Sequence, residues 1–315
     1  MIADKSVPGA KKRGRKKRKP QELKADRVLD GIILVVLIVL FVLTAYPLYF
    51  VVIASFSDPG KVVAGQVTLW PQGFTLAGYE RVLGYEKLWV GYRNTVVYTL
   101  VHTAIATFVT LLTGFALSRR TLPGRRGIML FMAFTMYFSG GMVPGYLLLK
   151  NLGFVANPAA YVFIGVVSVY NVVITRTFME SNIPDTLVEA AEIDGCNMTR
   201  FFVRIVLPLS PAIVAILVLF YAVGQWNSWF NAMLYLRDEQ MPLQNVLRNI
   251  LSTSTLTFEM GAEASYGSSD ADAQTLLVES MRYAVIIVST LPVMCLYPFV
   301  QKYFIKGVMV GAIKG

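Results

Sequence analysis

The sequence has few of the residues that build catalytic and metal sites. Its 315 residues include only two cysteines and one histidine. Cys196 and Cys295 are too few for a disulfide framework or a metal-ligand cluster, so we expect both to be small packing residues. His102 lies in an apolar run, where a neutral imidazole bonded to a neighbouring helix is favoured over a substrate ligand. The sequence therefore predicts no metal site, no catalytic residue and no cofactor bound by this chain.

Acidic residues are absent from the interior of the long apolar runs. A carrier driven by protons or cations usually has an ionisable residue inside the membrane. No internal repeat of the kind that builds many secondary transporters is visible. The chain also has no Gly-x-x-x-x-Gly-Lys-Ser/Thr sequence to cradle ATP phosphates. The energy for any active transport must then come from another subunit.

Apolar residues, in contrast, are abundant. The composition is 55% hydrophobic and 15% charged, which is far more apolar surface than a soluble domain needs. A run of about 20 apolar residues crosses a bilayer core of roughly 30 Å as a helix. Such runs lie at 29–54, 90–117, 128–149, 158–178, 209–236 and 281–304. The sequence predicts an all-α membrane protein with six transmembrane helices.

The distribution of basic residues predicts the orientation. Residues 11–19 contain eight basic side chains; nucleic acid could bind them, but an apolar run follows at once and favours a cytoplasmic arm beside anionic lipid. The run from Leu29 to Ala54 is too long for a signal peptide. Arginines after the second run agree with cytoplasmic N- and C-termini. We divide the chain into a basic arm (1–28), a permease domain (29–305) and a cytoplasmic tail (306–315).

A polar stretch at 184–208 separates the fourth and fifth apolar runs. It reads Glu189-Ala190-Ala191, three residues, Gly195, nine residues, Ile205, one residue and Leu207-Pro208. Pro184 at a first helical position and Gly195 as a C-terminal stop predict a short helix over 184–194. Asn197 as N-cap predicts a second helix over 198–207, after which Pro208 lets the chain turn. We call this predicted helix-corner-helix unit the knuckle.

The spacing in the knuckle resembles the cytoplasmic coupling loop, the EAA loop, of permease subunits in bacterial ABC importers. Its flanking residues Ile193-Asp194-Gly195 and 205–211 are similar to the carbohydrate branch, the maltose-type permeases and their oligosaccharide relatives in Gram-positive bacteria. The resemblance implies a type I importer permease fold and docking on an ATPase. Leu187, Ala190 and Ala191 should share one docking face. The residues implied in coupling are Glu189, Ala190, Ala191, Asp194, Gly195, Ile205, Leu207 and Pro208.

The same resemblance implies the partners: a homologous second permease, two ATPases that bind ATP and Mg²⁺, an external sugar-binding lipoprotein and the lipids of the cell membrane. Nucleic acid is not among them. It also implies that the tail residues Gly311, Ala312 and Lys314 contact the ATPases, where a frayed terminus is the competing view. The alternative function is a secondary carrier or channel for small polar solutes that works without ATP.

Two segments, 56–88 and 237–279, should face outward. The first is similar to the external loop of carbohydrate permeases, and the second shows no clear periodic pattern, which is typical of functional or disordered loops. The fifth run ends in a segment rich in amides and indoles, which bind sugars through hydrogen bonds and apolar faces. An aromatic belt with interhelical hydrogen bonds is the alternative. The candidate substrate-pathway residues are Gln225, Trp226, Asn227, Trp229 and Asn231, with Tyr170 and Asn171 as weaker candidates.

Overall fold

A computed structural model describes residues 24–252, 276 and 281–295 of the chain. Two compact units are present, Met1–Phe50 and Val51–Gly315. All regular structure in the described residues is helical, which confirms the all-α prediction. The helices are α1 Lys24–Ser55, α2 Pro59–Val63, α3 Ala77–Leu83, α4 Glu86–Ser118, α5 Arg125–Tyr137, α6 Met142–Asn151, α7 Pro158–Tyr161, α8 Val169–Asn182, α9 Asp185–Ile193, α10 Met198–Phe201, α11 Leu207–Leu209, α12 Pro211–Trp226, α13 Trp229–Tyr235, α14 at 243–252 and α15 Met281–Cys295.

Helix α4 is the centre of the second unit and packs against α8 and α12. The contact with α8 is close because Gly114 presents no side chain: a Cβ there would lie 2.5 Å from the Thr175 Cγ2 atom. Near the middle of α4, His102 Nδ1 lies 2.8 Å from the Val162 carbonyl oxygen. The bond to a neighbouring segment agrees with the role expected for this histidine.

The described part of the chain has two helices long and apolar enough to cross a membrane, or up to four if each bent pair is one span. The count of six therefore stays a prediction. The prediction of one continuous helix per apolar run is wrong for three runs, 128–149, 158–178 and 209–236. In the first of these runs, α5 and α6 meet at 114°, and Gly141 there has a φ of +86°.

The other two runs are also interrupted, the second at a left-handed glycine and the third at polar residues. Gly165, with a φ of +76°, lies between α7 and α8. In the third run, α12 meets the helical stretch before it at 85° across Ser210, and Asn227 and Ser228 separate α12 from α13. A hydropathy window measures composition, so it does not detect a left-handed glycine that interrupts a helix.

The two expected outer segments contain more structure than predicted. Segment 56–88 holds α2 and α3, and Asp58 caps α2 by accepting bonds from the backbone of Gly60 and Lys61. Segment 237–279 holds α14, in which Leu243 and Leu247 are buried. Their four-residue spacing is helical, so the expectation of no periodic pattern there is wrong. Residues 253–275 and 277–279 lie outside the described part.

Candidate coupling site and substrate pathway

The corner of the knuckle is a left-handed glycine turn, as predicted. Helix α9 ends at Ile193, and Gly195 follows with a φ of +73°. The Gly195 N–H donates to the Glu192 carbonyl (3.0 Å) and the Cys196 N–H donates to the Ala191 carbonyl (2.9 Å). These two bonds form a Schellman motif. No atom lies within 4 Å of the place where a Cβ of residue 195 would be, so backbone conformation alone requires glycine.

The second helix of the knuckle begins at the predicted residue and ends later than predicted. Asn197 accepts a bond from the Arg200 N–H at 2.8 Å and caps α10. A π-helical turn, Phe202–Val206, then leads into α11, and the Leu207 N–H donates to the Phe202 carbonyl. This wide turn shifts the ladder by one residue, so the helix accommodates Pro208 and ends at Leu209.

Two boundary predictions for the knuckle are therefore wrong. Pro184 precedes the first helix as its N-cap residue, with extended ψ of 152°, and does not occupy a first helical position. Pro208 lies inside the last helical turn, and the chain turns at Ser210, whose side chain is fully buried. The local propensities of both prolines are compatible with these positions, but they do not select among neighbouring boundaries.

The two faces of α9 differ from the expected single docking face. Glu189 and Ala190 are exposed. Val188 and Ala191 are 9% and 7% exposed and belong to the core beneath the knuckle, where Leu187 packs beside them. Leu187 and Ala191 therefore face the core of their own chain. The prediction that they share a docking face with Ala190 is wrong. The coupling role of the knuckle residues stays a prediction.

The buried side of the knuckle is fixed to α4 through aromatic rings. The ring of Phe115, one turn from the end of α4, lies 6.1 Å from the ring of Phe201 and 5.3 Å from that of Phe202. Phe201 and Phe202 are 1% and 3% exposed. The second half of the knuckle and the end of α4 therefore share one core and should move together.

A second link to α4 is the buried side chain of Arg119. Its guanidinium donates to the Ile183 carbonyl at 3.1 Å and approaches Asp185, the first residue of α9, at 3.4 Å. It also donates to the Ser118 hydroxyl at 3.0 Å and lies over the Phe115 ring, 5.2 Å from the centroid. Arg119 thus connects the end of α4 to the start of α9.

Burial and nearby charges act in opposite directions on the Arg119 side chain. Burial lowers the pKa of the Arg119 guanidinium from its usual value, and the nearby Asp185 and Glu180 carboxylates oppose that shift. Arginine stays protonated in proteins, so the link keeps its charge at any physiological pH. From the sequence, Arg119 counted only as one of several basic residues that set orientation. Its partner Asp185 lies 66 positions away, and no local pattern signals that pairing.

The candidate pathway residues lie around the end of α12 in several environments. Trp226 is 8% exposed and packs with Leu88 and Leu243, and its indole N–H has no partner among the described residues. It also lines a cavity of about 230 Å³ between α4, α12 and α15, together with Thr99 and Thr103. The wall of this cavity is mainly apolar, which favours packing over sugar binding for Trp226.

The amide side chains of this segment also differ in exposure and in hydrogen bonding. Asn227 and Asn231 are exposed and Gln225 is half-buried. The Gln225 side chain is near the Tyr161 hydroxyl, whereas Asn227 donates to the Val223 carbonyl at 2.9 Å. Trp229 is 36% exposed. The exposed members leave polar groups available on one short stretch of chain.

Tyr170 and Asn171 lie on a different element, α8. Tyr170 is 55% exposed and Asn171 is 6% exposed. Among the described contacts, none joins either residue to the segment at the end of α12, so the structure does not bring the two groups of candidates together. The tail candidates Gly311, Ala312 and Lys314 lie outside the described residues.

Comparisons with known proteins decide the family. A search against models of known protein families gives no match. The polygalacturonan/rhamnogalacturonan transport system permease protein YtcP of Bacillus subtilis (strain 168) is 36% identical over 92% of this chain and 99% of its own length. The chain belongs to the permease subunits of bacterial carbohydrate ABC importers. Protein LplC of the same organism is 34% identical, over 93% of this permease and 97% of LplC.

A more distant relative and a solved structure are consistent with this family. The melibiose/raffinose/stachyose import permease protein MelC of Bacillus subtilis is 26% identical over 90% of this permease and 96% of MelC. A solved structure, described as a bacterial ABC transporter involved in the import of the acidic polysaccharide alginate, matches 91% of the permease and 100% of its own chain. The TM-score is 0.80 and the identity 29%.

These matches confirm the resemblance found in the sequence. The protein is a membrane permease subunit of a binding-protein-dependent importer, and such subunits work with ATPase and binding-protein partners. The relatives are transport permeases rather than enzymes or ATP-independent carriers, so the comparisons support the importer over the alternative of a secondary carrier or channel.

Proposed function

We propose that this permease forms half of the translocation pathway of an oligosaccharide importer in the cell membrane of a Gram-positive bacterium. A homologous second permease, two ATPase subunits and an external sugar-binding lipoprotein complete the complex. Six helices cross the membrane and both termini are cytoplasmic. ATP and Mg²⁺ bind to the ATPase subunits, which carry out the hydrolysis. Relatives named for polygalacturonan/rhamnogalacturonan and for melibiose/raffinose/stachyose support oligosaccharides as the cargo class.

The observation that carries this proposal is that the knuckle has one side buried in its own chain and one side exposed. Its inner side, with Val188 and Ala191, is packed against the core that contains Phe115 of α4. Its outer side presents Ala190 and the Glu189 carboxylate. A small residue next to an acid suits a narrow docking cleft that offers a basic partner. A partner that displaces this outer side would also displace α4, because a packed core transmits strain.

Coupling then follows from one shared two-state element. Closure of the ATPases on ATP would move the knuckle, tilt α4 and open a central cavity outward to accept sugar from the binding protein. The exposed residues of the segment 225–231 would contact the cargo, and residues 311–315 would contact the ATPases. Nucleotide and sugar bias the same conformational equilibrium, which is what energetic coupling requires.

The test is sugar uptake by proteoliposomes that contain the complete complex. We expect uptake with ATP and no uptake with a non-hydrolysable analogue or without the binding protein. The permease expressed without its homologous partner should fail to purify as a folded, monodisperse species, because polar faces of its helices need a second bundle. Uptake without nucleotide would instead indicate an ATP-independent carrier.

A further inference from the structure

A cation is stacked on the indole of Trp229, one of the candidate pathway residues. Arg248 belongs to α14, and its guanidinium carbon is 3.9 Å from the centre of the Trp229 ring. This is well within the distance of about 6 Å at which an aromatic face attracts a cation. Trp229 therefore does not offer both of its faces to a sugar, since one is covered by the guanidinium.

The position of Arg248 is fixed by its own helix. Asn245, one turn earlier on α14, is 5% exposed and donates to the Trp229 carbonyl at 3.0 Å. At the start of the same helix, the Leu243 N–H donates to the Thr95 hydroxyl of α4 at 2.7 Å. Leu243 and Leu247 are buried. The stack is thus held by a helix anchored to both α13 and α4.

Among the residues that the structure describes, none uses the hydrogen-bonding capacity of Arg248. A guanidinium that stacks through its face keeps its N–H donors in the plane, where they bind planar anions in pairs. Arg248 is exposed, and it makes no ion pair or side-chain hydrogen bond with any residue that the structure describes. In the described part, the acids of the 3₁₀ turn Asp238–Gln240 do not pair with it either.

We propose that Arg248 on Trp229 is a carboxylate-binding position for cargo, and that the cargo is an oligosaccharide containing uronic acids. This inference rests on the oligosaccharide importer proposed above. A uronate offers a planar carboxylate to the fork of Arg248. Two charge-assisted bonds to one carboxylate are strong and directional. A neutral sugar would leave the guanidinium without an anion.

The test uses the reconstituted complex and two probes, a trimer of galacturonate and its fully methyl-esterified form. The esterified probe keeps the sugar rings and removes the negative charges. For Arg248→Gln we expect KM for the charged trimer to rise roughly 10- to 100-fold with little change in kcat, as for a lost charge-assisted hydrogen bond. Uptake of the ester by the same variant should match wild type. Ratios of variant to wild type cancel any preference of the binding protein.

Matched controls define the outcomes. Arg81→Gln removes an exposed cation from α3, in the other outer segment, and should leave the uptake of both probes at the wild-type level. Arg248→Lys keeps the charge without the planar fork and should recover only part of the charged-probe uptake. An equal loss for both probes in Arg248→Gln would assign Arg248 to protein docking or folding and overturn the inference.

The behaviour of wild type separates this inference from the function on which it rests. Wild-type uptake of the ester alone would overturn the carboxylate position and leave the importer intact. Uptake of neither probe, nor of any neutral oligosaccharide in a panel, would contradict the oligosaccharide importer itself.

Discussion

Substitution of Arg119 by methionine would detach the start of α9 from α4 while keeping the length of the side chain. The loss of the bond to the Ile183 carbonyl, 3.1 Å long and buried, costs about 1–3 kcal/mol. The approach to Asp185 at 3.4 Å contributes less than about 1 kcal/mol, because that carboxylate is 52% exposed. The loss of the cation from the Phe115 ring adds about 0.5–1 kcal/mol.

Together these terms give about 1.5–5 kcal/mol, or a change of at least about tenfold in the equilibrium between attached and detached α9. The ATPases should still bind, since Glu189 and Ala190 are unchanged, but hydrolysis should drive less transport. We expect the number of sugars imported per ATP hydrolysed by proteoliposomes to fall several-fold.

The matched control is Arg120→Met. Arg120 is the next residue along the chain and lies 3.8 Å from Asp185, but its side chain is 86% exposed. Its ion pair should contribute little, and the variant should couple like wild type. If Arg119→Met and Arg120→Met have the same transport per ATP, the argument that buried contacts of Arg119 transmit motion is refuted.

Two glycines give further predictions. Gly195→Val should strain the left-handed corner by about 1–2 kcal/mol and lower the transport per ATP. Gly195→Asn should stay close to wild type, because asparagine tolerates this conformation. Equal coupling in both variants would contradict the role of the corner. Gly114→Val would place atoms about 2.5 Å from Thr175 and force α4 and α8 apart, lowering the Tm of the purified complex by several degrees. An unchanged Tm would show that the two helices are not packed as described.

The features predicted correctly from the sequence depend on short-range chemistry. Gly195 and Asn197 select a left-handed turn and an N-cap almost independently of the rest of the chain. The end of the second helix was not predictable, because a π-turn at 202–206 carries the helix past Pro208. Phe202, the first residue of that turn, packs on Phe115, a long-range contact that no local pattern shows.

The missed residues have a common cause. From the sequence, Arg119 counts only as one of the basic residues that set orientation, and Arg248 has no assigned role, because arginine is usually a surface residue. Their roles depend on partners far along the chain or across a turn: Ile183 and Asp185 for the first, and Trp229 for the second. A signal existed only for Arg248, since Leu243 and Leu247 have helical spacing in a segment that was read as irregular.

The central claim is that the exposed side of the knuckle attaches the ATPases, and co-purification of Glu189→Ala with the ATPase subunits tests it most directly. Removal of one partner of a desolvated ion pair costs about 2–5 kcal/mol, so ATPase recovery at equal protein concentration should fall more than about tenfold. Glu80→Ala removes another exposed acid, from α3, and should retain full recovery. Wild-type recovery of ATPase with Glu189→Ala would contradict the account.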